Sequence, residues 1–459
     1  MKRWTTTIST IIFRREILFI LLTIQNILSI CVIFSNPLPI PPKTSIGLLT
    51  GITLLLYLVF LVLLKKKIIQ IQSKVYAIDW FVLGYIVVNA ISLLTSSYIF
   101  ELTSFRLLLI AVMHYAVIRL LIFSEKEKKQ MMHAIGITTM CVAVMSLFQM
   151  LFRDQAIIFA KRFLFGDSAF SIAVDLARGR GPQWGNIIVS FPFFIGSAMM
   201  MRKSKDLWKR VYIIVGIILI SFSFIVSNFR WLTICFFIGT FLYLTMLYKS
   251  RLLSLALIKR LFVPFFFAIT GGIIIASVVF QYNLIDRFLL KEKERDVTYT
   301  IGRTFLYQQA FSAFSASPLF GIGVGSYRYI VERPLRLHFY QIITEEGKVD
   351  EQTRESVSSH NDFLTLLAET GIFGALIFLG MSVLVFQRLV LVLKKSIKEK
   401  HTAYMLYALT LLTALSMFYL IGLFENSAPN YYIFVFFLYA VVITWFPLFN
   451  TSIDHQLKR

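Results

Sequence analysis

His360 has the most suggestive setting for chemistry, in Ser358-Ser359-His360-Asn361-Asp362 directly ahead of a long apolar run. Ser358 or Ser359 can cap a helix there, with Ser359-x-x-Asp362 spaced as a capping box. On the first turn of such a helix the positive end of the dipole disfavours imidazolium and favours an anion nearby. The ring stays neutral and can accept a proton, as a general base must. The same position also suits a solvated or capping histidine with no chemical role. Arginines form a second set: Arg178-Gly-Arg180-Gly-Pro-Gln-Trp-Gly-Asn186, Arg230 and Arg303. Planar guanidinium groups match phosphate oxygens, which points to a phosphate-bearing lipid or substrate. Each could instead snorkel toward a membrane surface or pair with a carboxylate such as Asp175 or Glu332.

Other chemistries lack their residues. No His/Cys/Asp/Glu set has metal-ligand spacing, and neither Asp-x-Asp nor Gly-x-Ser-x-Gly occurs. Cys31, Cys141 and Cys235 sit in apolar runs without a CxxC pattern. Gly321-x-Gly323-x-Gly325 lacks the Gly-Lys-Ser/Thr ending of a nucleotide loop and reads as tight turns.

The elements that must carry these residues are hydrophobic helices. Apolar runs long enough to cross about 30 Å of hydrocarbon occur at 17–36, 45–64, 77–95, 107–123, 133–152, 183–201, 211–229, 231–248, 261–280, 363–386, 402–423 and 430–448. The chain is 58% hydrophobic and only 15% charged, with a mean hydropathy of +0.75. An ordinary soluble enzyme is excluded by these values, since soluble domains are about 45–50% apolar and about 25% charged. The expected fold is therefore all-α: one polytopic membrane unit over 1–459 with about 12 transmembrane helices.

Charge assigns the sides. The formal net charge of +22 would suggest nucleic acid in a soluble chain. Here Lys and Arg concentrate in one alternating set of segments, including Lys65 to Lys67, Lys126 to Lys129, Arg202 to Arg210, Lys249 to Arg260 and Arg388 to Lys400. By the positive-inside rule that set is cytoplasmic, both termini with it. The opposite set is nearly neutral overall, so the basic balance is topology and no nucleic-acid partner is expected. The outer side holds a smaller loop at 153–182 and a large one at 281–360. His360 and the arginines gather on that outer side. Within the large loop, Tyr299 to Ser315 suits an interfacial helix opened by Arg303, with Phe305, Ala310, Phe311 and Phe314 on its apolar face and Pro318 ending it. Beyond His360, Ala368, Gly371, Gly374 and Ala375 make a small-residue face suited to close packing of another span. On an unbroken helix Gly371 would lie about 16 Å from His360.

His360-Asn361, nine residues, Gly371, two residues, Gly374 resembles the histidine signature of bacterial O-antigen ligases and the related O-antigen polymerases. Ser227-Asn-Phe-Arg230, Gly302-Arg303, Pro318-Leu-Phe-Gly-Ile-Gly323 and the Arg178 to Asn186 segment are similar to further family segments. One departure is Asn-Phe between Ser227 and Arg230, where the family more often has Ser-Arg. The similar stretch covers about 175–385. The resemblance implies glycan transfer on the outer face of the cytoplasmic membrane from undecaprenyl diphosphate to a glycan or lipid-linked acceptor, with inversion and without metal or cofactor. It implies His360 as base, Arg303 and Arg230 on the diphosphate, and Arg178, Arg180, Asn186 and Asn361 as substrate contacts. A flippase or other transporter of lipid-linked oligosaccharide is the alternative. It would want charge inside the bundle and has less use for a large outer loop.

Overall fold

The computed structural model describes residues 15–32, 42–72, 74–96, 102–152, 184–201, 206–226, 230–254, 295–327, 361–423 and 432–446. A backbone in hydrocarbon must satisfy its own hydrogen bonds, and these apolar runs do so as helices. In chain order they are α1 (Arg15–Val32), α2 (Pro42–Lys65), α3 (Ala77–Thr95), α4 (Leu102–Leu120), α5 (Glu125–Leu151) and α6 (Trp184–Met201), then α7 (Leu207–Val226), α8 (Arg230–Lys249), α9 (Arg295–Ala316), α10 (Asp362–Lys398), α11 (Thr402–Gly422) and α12 (Tyr432–Thr444). Among the described residues the sole β pairing is an isolated bridge, Ile71 with Leu121. Helices occupy eleven of the twelve expected spans. The run at 261–280, the loop at 153–182 and both termini lie outside the described residues, as does all of the large loop except 295–327. Among the described residues, five helices are long and apolar enough to cross a membrane: Leu48–Lys65, Ala77–Thr95, Glu125–Phe148, Asp362–Lys398 and Thr402–Gly422.

Two boundaries differ from expectation because polar residues join the helices. Ser124 and Glu127 form a reciprocal capping box, so α5 starts at Glu125 and takes in the lysines expected in a loop. At the other end of the bundle's longest helix, α10 runs on to Lys398 through Arg388, also expected in a loop. Arg388 is buried, its guanidinium 5.0 Å from the ring centre of Tyr76. Arg119 stands 4.6 Å from the same ring and chelates Asp79 through two bonds of 2.9 Å. Tyr115 donates to the same carboxylate at 2.5 Å. Paired in this way, the charges of α3, α4 and α10 are tolerated in an apolar setting. α10 packs on α3 and α11, α4 packs on α12, and α6 lies against α5 and α11. The side chains from Ile433 to Ile443 are buried throughout, which makes α12 a central element.

α10 is two helical segments. At Gly371 the backbone takes φ 64°, ψ −168°, a region essentially confined to glycine. The small-residue face expected over Ala368 to Ala375 is therefore not one continuous surface. Gly371 breaks the helix, and a side chain there has no room: a Cβ would lie 2.4 Å from the carbonyl carbon and oxygen of Leu319. Gly371→Ala is expected to add about 1–3 kcal/mol of backbone strain to that overlap and to lower the thermal unfolding midpoint of detergent-purified protein by several degrees. Alanine at Gly51, where nothing lies within 4 Å, is expected to leave the midpoint within a degree or two.

Candidate active site

The helix break is closed by the loop after α9. In an unbroken helix, the carbonyls of Ala368 and Glu369 would accept from the N–H groups of Ile372 and Phe373. Here the loop backbone stands in on both sides. Ile322 N–H donates to Ala368 O at 3.0 Å and Gly323 N–H to Glu369 O at 3.1 Å. In return, Ile372 N–H donates to Pro318 O at 2.9 Å and Phe373 N–H to Leu319 O at 3.3 Å. These four groups are thereby satisfied, each worth several kcal/mol if left bare in an apolar interior. The approach is close enough to need a second glycine: at Gly321, φ is +75° and a Cβ would lie 2.2 Å from the Glu369 carbonyl carbon. The Gly-x-Gly-x-Gly run is thus a set of turns, as expected, fitted to a broken helix.

Side chains from two further elements fasten this junction. Ser92 of α3 donates to Glu369 O at 2.6 Å, and Ser96, its C-cap, donates to the carbonyl of Ile322. Tyr327 donates through its backbone N–H to Glu369 Oε1 at 3.3 Å and through its phenol to Leu306 O of α9 at 2.7 Å. Burial, and then the nearby charge of Glu369, hold that phenol well above the usual tyrosine range, so it remains an O–H donor. Sequence reasoning passed over Ser92, Ser96, Tyr327 and Glu369. Glu369 did carry a signal, because an acidic residue inside an apolar run demands partners.

α9 and the first segment of α10 both lead away from this junction. Leu306, Ala310 and Ala313 of α9 pack with Ile322, Tyr327, Ala368 and Leu364. The inward face is this stripe, whereas the expected Phe311 is 54% exposed. Arg303 lies three residues before Leu306, one turn earlier along the α9 backbone. It sits well inside α9, which begins at Arg295, and does not open the helix.

The break also decides where the His360 end of α10 goes. Ser382 of α10 hydrogen-bonds the phenol of Tyr419, and Phe378 and Phe386 flank the same ring at 6.3 and 5.6 Å. α11 runs antiparallel, so its end at Gly422 is level with about residue 379, and an unbroken α10 would carry Asp362 about 25 Å beyond it. Instead Asp362 Oδ2 is 3.0 Å from where a Gly422 Cβ would be, and the rings of Phe363 and Tyr419 are 6.1 Å apart. Asn361 donates to Leu423 O at 3.1 Å and accepts from Leu364 N–H at 3.0 Å. Asn361 is accordingly the N-cap, in place of Ser358 or Ser359, and the helix begins at Asp362, after His360. His360, Arg178 and Arg180 lie outside the described residues. Arg230 begins α8, and Asn186 lies in the first turn of α6; the backbones of both are described.

Residues 215–379 match the O-antigen ligase family model. This part of the chain is of the O-antigen ligase and polymerase family. The matched stretch runs from α7 into α10 and contains Arg230, Arg303, the loop after α9 and the break at Gly371. O-antigen ligase family membership implies a ligase- or polymerase-type glycan transfer in surface polysaccharide synthesis. No curated protein matches the chain. The Ser92→Ala/Ser96→Ala pair, which strips the α3 bonds from this junction, is expected to cost about 1 kcal/mol per bond. Limited proteolysis in detergent should then cut faster within 317–327 than in the parent protein, while cleavage between α10 and α11 is unchanged.

Proposed function

We propose that the protein transfers a glycan from undecaprenyl diphosphate to an acceptor hydroxyl on the outer face of the cytoplasmic membrane, as an O-antigen-type polymerase or ligase. One observation carries the reading: the break at Gly371 holds Asn361, the neighbour of His360, at the end of α11 rather than about 25 Å beyond it. On the proposed topology the end of α11 lies beside the outer headgroups, where a lipid diphosphate has its reactive bond, and a base held far above the bundle would not reach it. Leu306, Ala310 and Ala313 of α9, the helix that contains Arg303, pack beside the same helix segment.

In the proposed reaction, the acceptor oxygen attacks the anomeric carbon opposite the diphosphate. His360 takes the hydroxyl proton as the new C–O bond forms. The bond from the anomeric carbon to the phosphate oxygen breaks, and undecaprenyl diphosphate leaves with the electron pair. Single displacement inverts the anomeric centre. Arg303 and Arg230 hold the diphosphate and stabilise the charge that grows as it leaves, with Arg178, Arg180, Asn186 and Asn361 contacting phosphate or glycan. Diphosphate is already a good leaving group, so these cations suffice without metal. The architecture that goes with this is twelve spans with both termini inside and the loops at 153–182 and 281–360 outside.

His360→Ala is expected to lower transfer about 10²–10⁴-fold and Arg303→Ala about 10²–10³-fold, with Arg303→Lys recovering only part of the loss. The check is surface polysaccharide in a deletion strain complemented with each variant at equal membrane level; full restoration by His360→Ala would remove it from the base role. Purified protein given lipid-linked glycan is expected to form a glycosidic product at the same rate with and without EDTA. A transporter would form none.

A further inference from the structure

Tyr327 belongs neither to the helix of Arg303 nor to the helix that follows His360, yet it is bonded to both. Its backbone N–H reaches Glu369 of α10 and its phenol reaches the Leu306 carbonyl of α9. The residue is 1% exposed and packs among Leu306, Ala310, Ala313, Ile322 and Ala368. Within α9 the Leu306 carbonyl is already the acceptor of a helical N–H. A second donor there adds nothing to the helix itself and instead fixes the helix against its neighbour. Leu306 is one turn from Arg303 along the α9 backbone, so this bond fixes the helix next to the turn on which Arg303 sits.

We infer that Tyr327 is a positioning residue for the transfer reaction, a buried strut that sets the spacing between the Arg303 turn of α9 and the His360 end of α10. The inference rests on the catalytic reading of those two residues given above. A guanidinium that stabilises a departing diphosphate must be in place before charge develops, and a displacement of about 1 Å can cost up to a hundredfold in rate. Tyr327→Phe is the informative change. It keeps the ring and its packing, leaves the Leu306 carbonyl with its helical donor, and removes only the tie between helices.

The test is a double-mutant cycle on full-length protein in detergent, with lipid-linked glycan extracted from membranes of a strain lacking the protein as donor. Tyr327→Phe is expected to lower kcat about tenfold, with KM for the donor changed by less than about twofold. In the Arg303→Ala background the same substitution is expected to cost less than about twofold, because the group it positions is gone. An equal loss in both backgrounds would mean that Tyr327 serves only general stability and would overturn the inference, as would Tyr327→Phe at the parent rate beside a slow Arg303→Ala. If Arg303→Ala itself ran at the parent rate, the catalytic reading would fall and this inference with it. A readout independent of turnover is the distance between spin labels at the exposed Gln308 of α9 and the half-exposed Leu367 in the first segment of α10. Tyr327→Phe should broaden that distribution, and an unchanged width would overturn the strut.

Discussion

Four backbone hydrogen bonds across the break at Gly371 are the constraint on which the rest of the site depends. A helix in apolar surroundings cannot simply stop and restart, because every exposed N–H and C=O must find a partner. α10 is interrupted all the same, and the loop from Pro318 to Gly323 supplies both missing donors and both missing acceptors. The exchange needs backbone to lie on backbone. That requirement explains glycine at both Gly321 and Gly371, where a Cβ would fall within 2.4 Å of the facing chain.

Two consequences follow from one device. The first segment of α10 is released from the axis of the second, so Asn361 and Asp362 reach the end of α11. At the same time the loop that fills the break is continuous with α9, so the helix bearing Arg303 is fastened to the helix that His360 precedes. α3 joins through Ser92 and Ser96, whose bonds to Glu369 and Ile322 tie the junction to the bundle. α3, α9 and α10 come from distant parts of the sequence, and the junction makes their spacing a property of short, buried, mutually satisfied contacts.

The sequence made the helices legible because hydrophobic length is a strong signal, and eleven apolar runs coincide with helices. It was less informative where polar side chains serve structure. Lys128 reads as a loop residue, yet its ammonium is buried against Glu125 and the Trp445 carbonyl in α5. Gly371 and Gly374 read as a packing face because small residues at helical spacing usually make one, and nothing local distinguishes that use from a break filled by a distant loop. On α9 the expected apolar face holds at Ala310, which is buried, and fails at Phe311, which is exposed, since size in a sequence says nothing about which face meets a neighbour. Asn361 was legible as part of a motif but not as the cap, because two serines nearby could cap equally well.

The proposed transfer requires His360 and Arg303 to meet one lipid diphosphate near the end of α11, where the broken α10 places Asn361. The most direct measurement is an electron cryo-microscopy structure of the full chain in lipid nanodiscs with undecaprenyl diphosphate bound. The diphosphate is expected at the end of α11, with oxygens within about 3 Å of the Arg303 guanidinium and the His360 ring facing it. A continuous α10 that carries His360 about 25 Å beyond Gly422, or a diphosphate bound away from both residues, would contradict it.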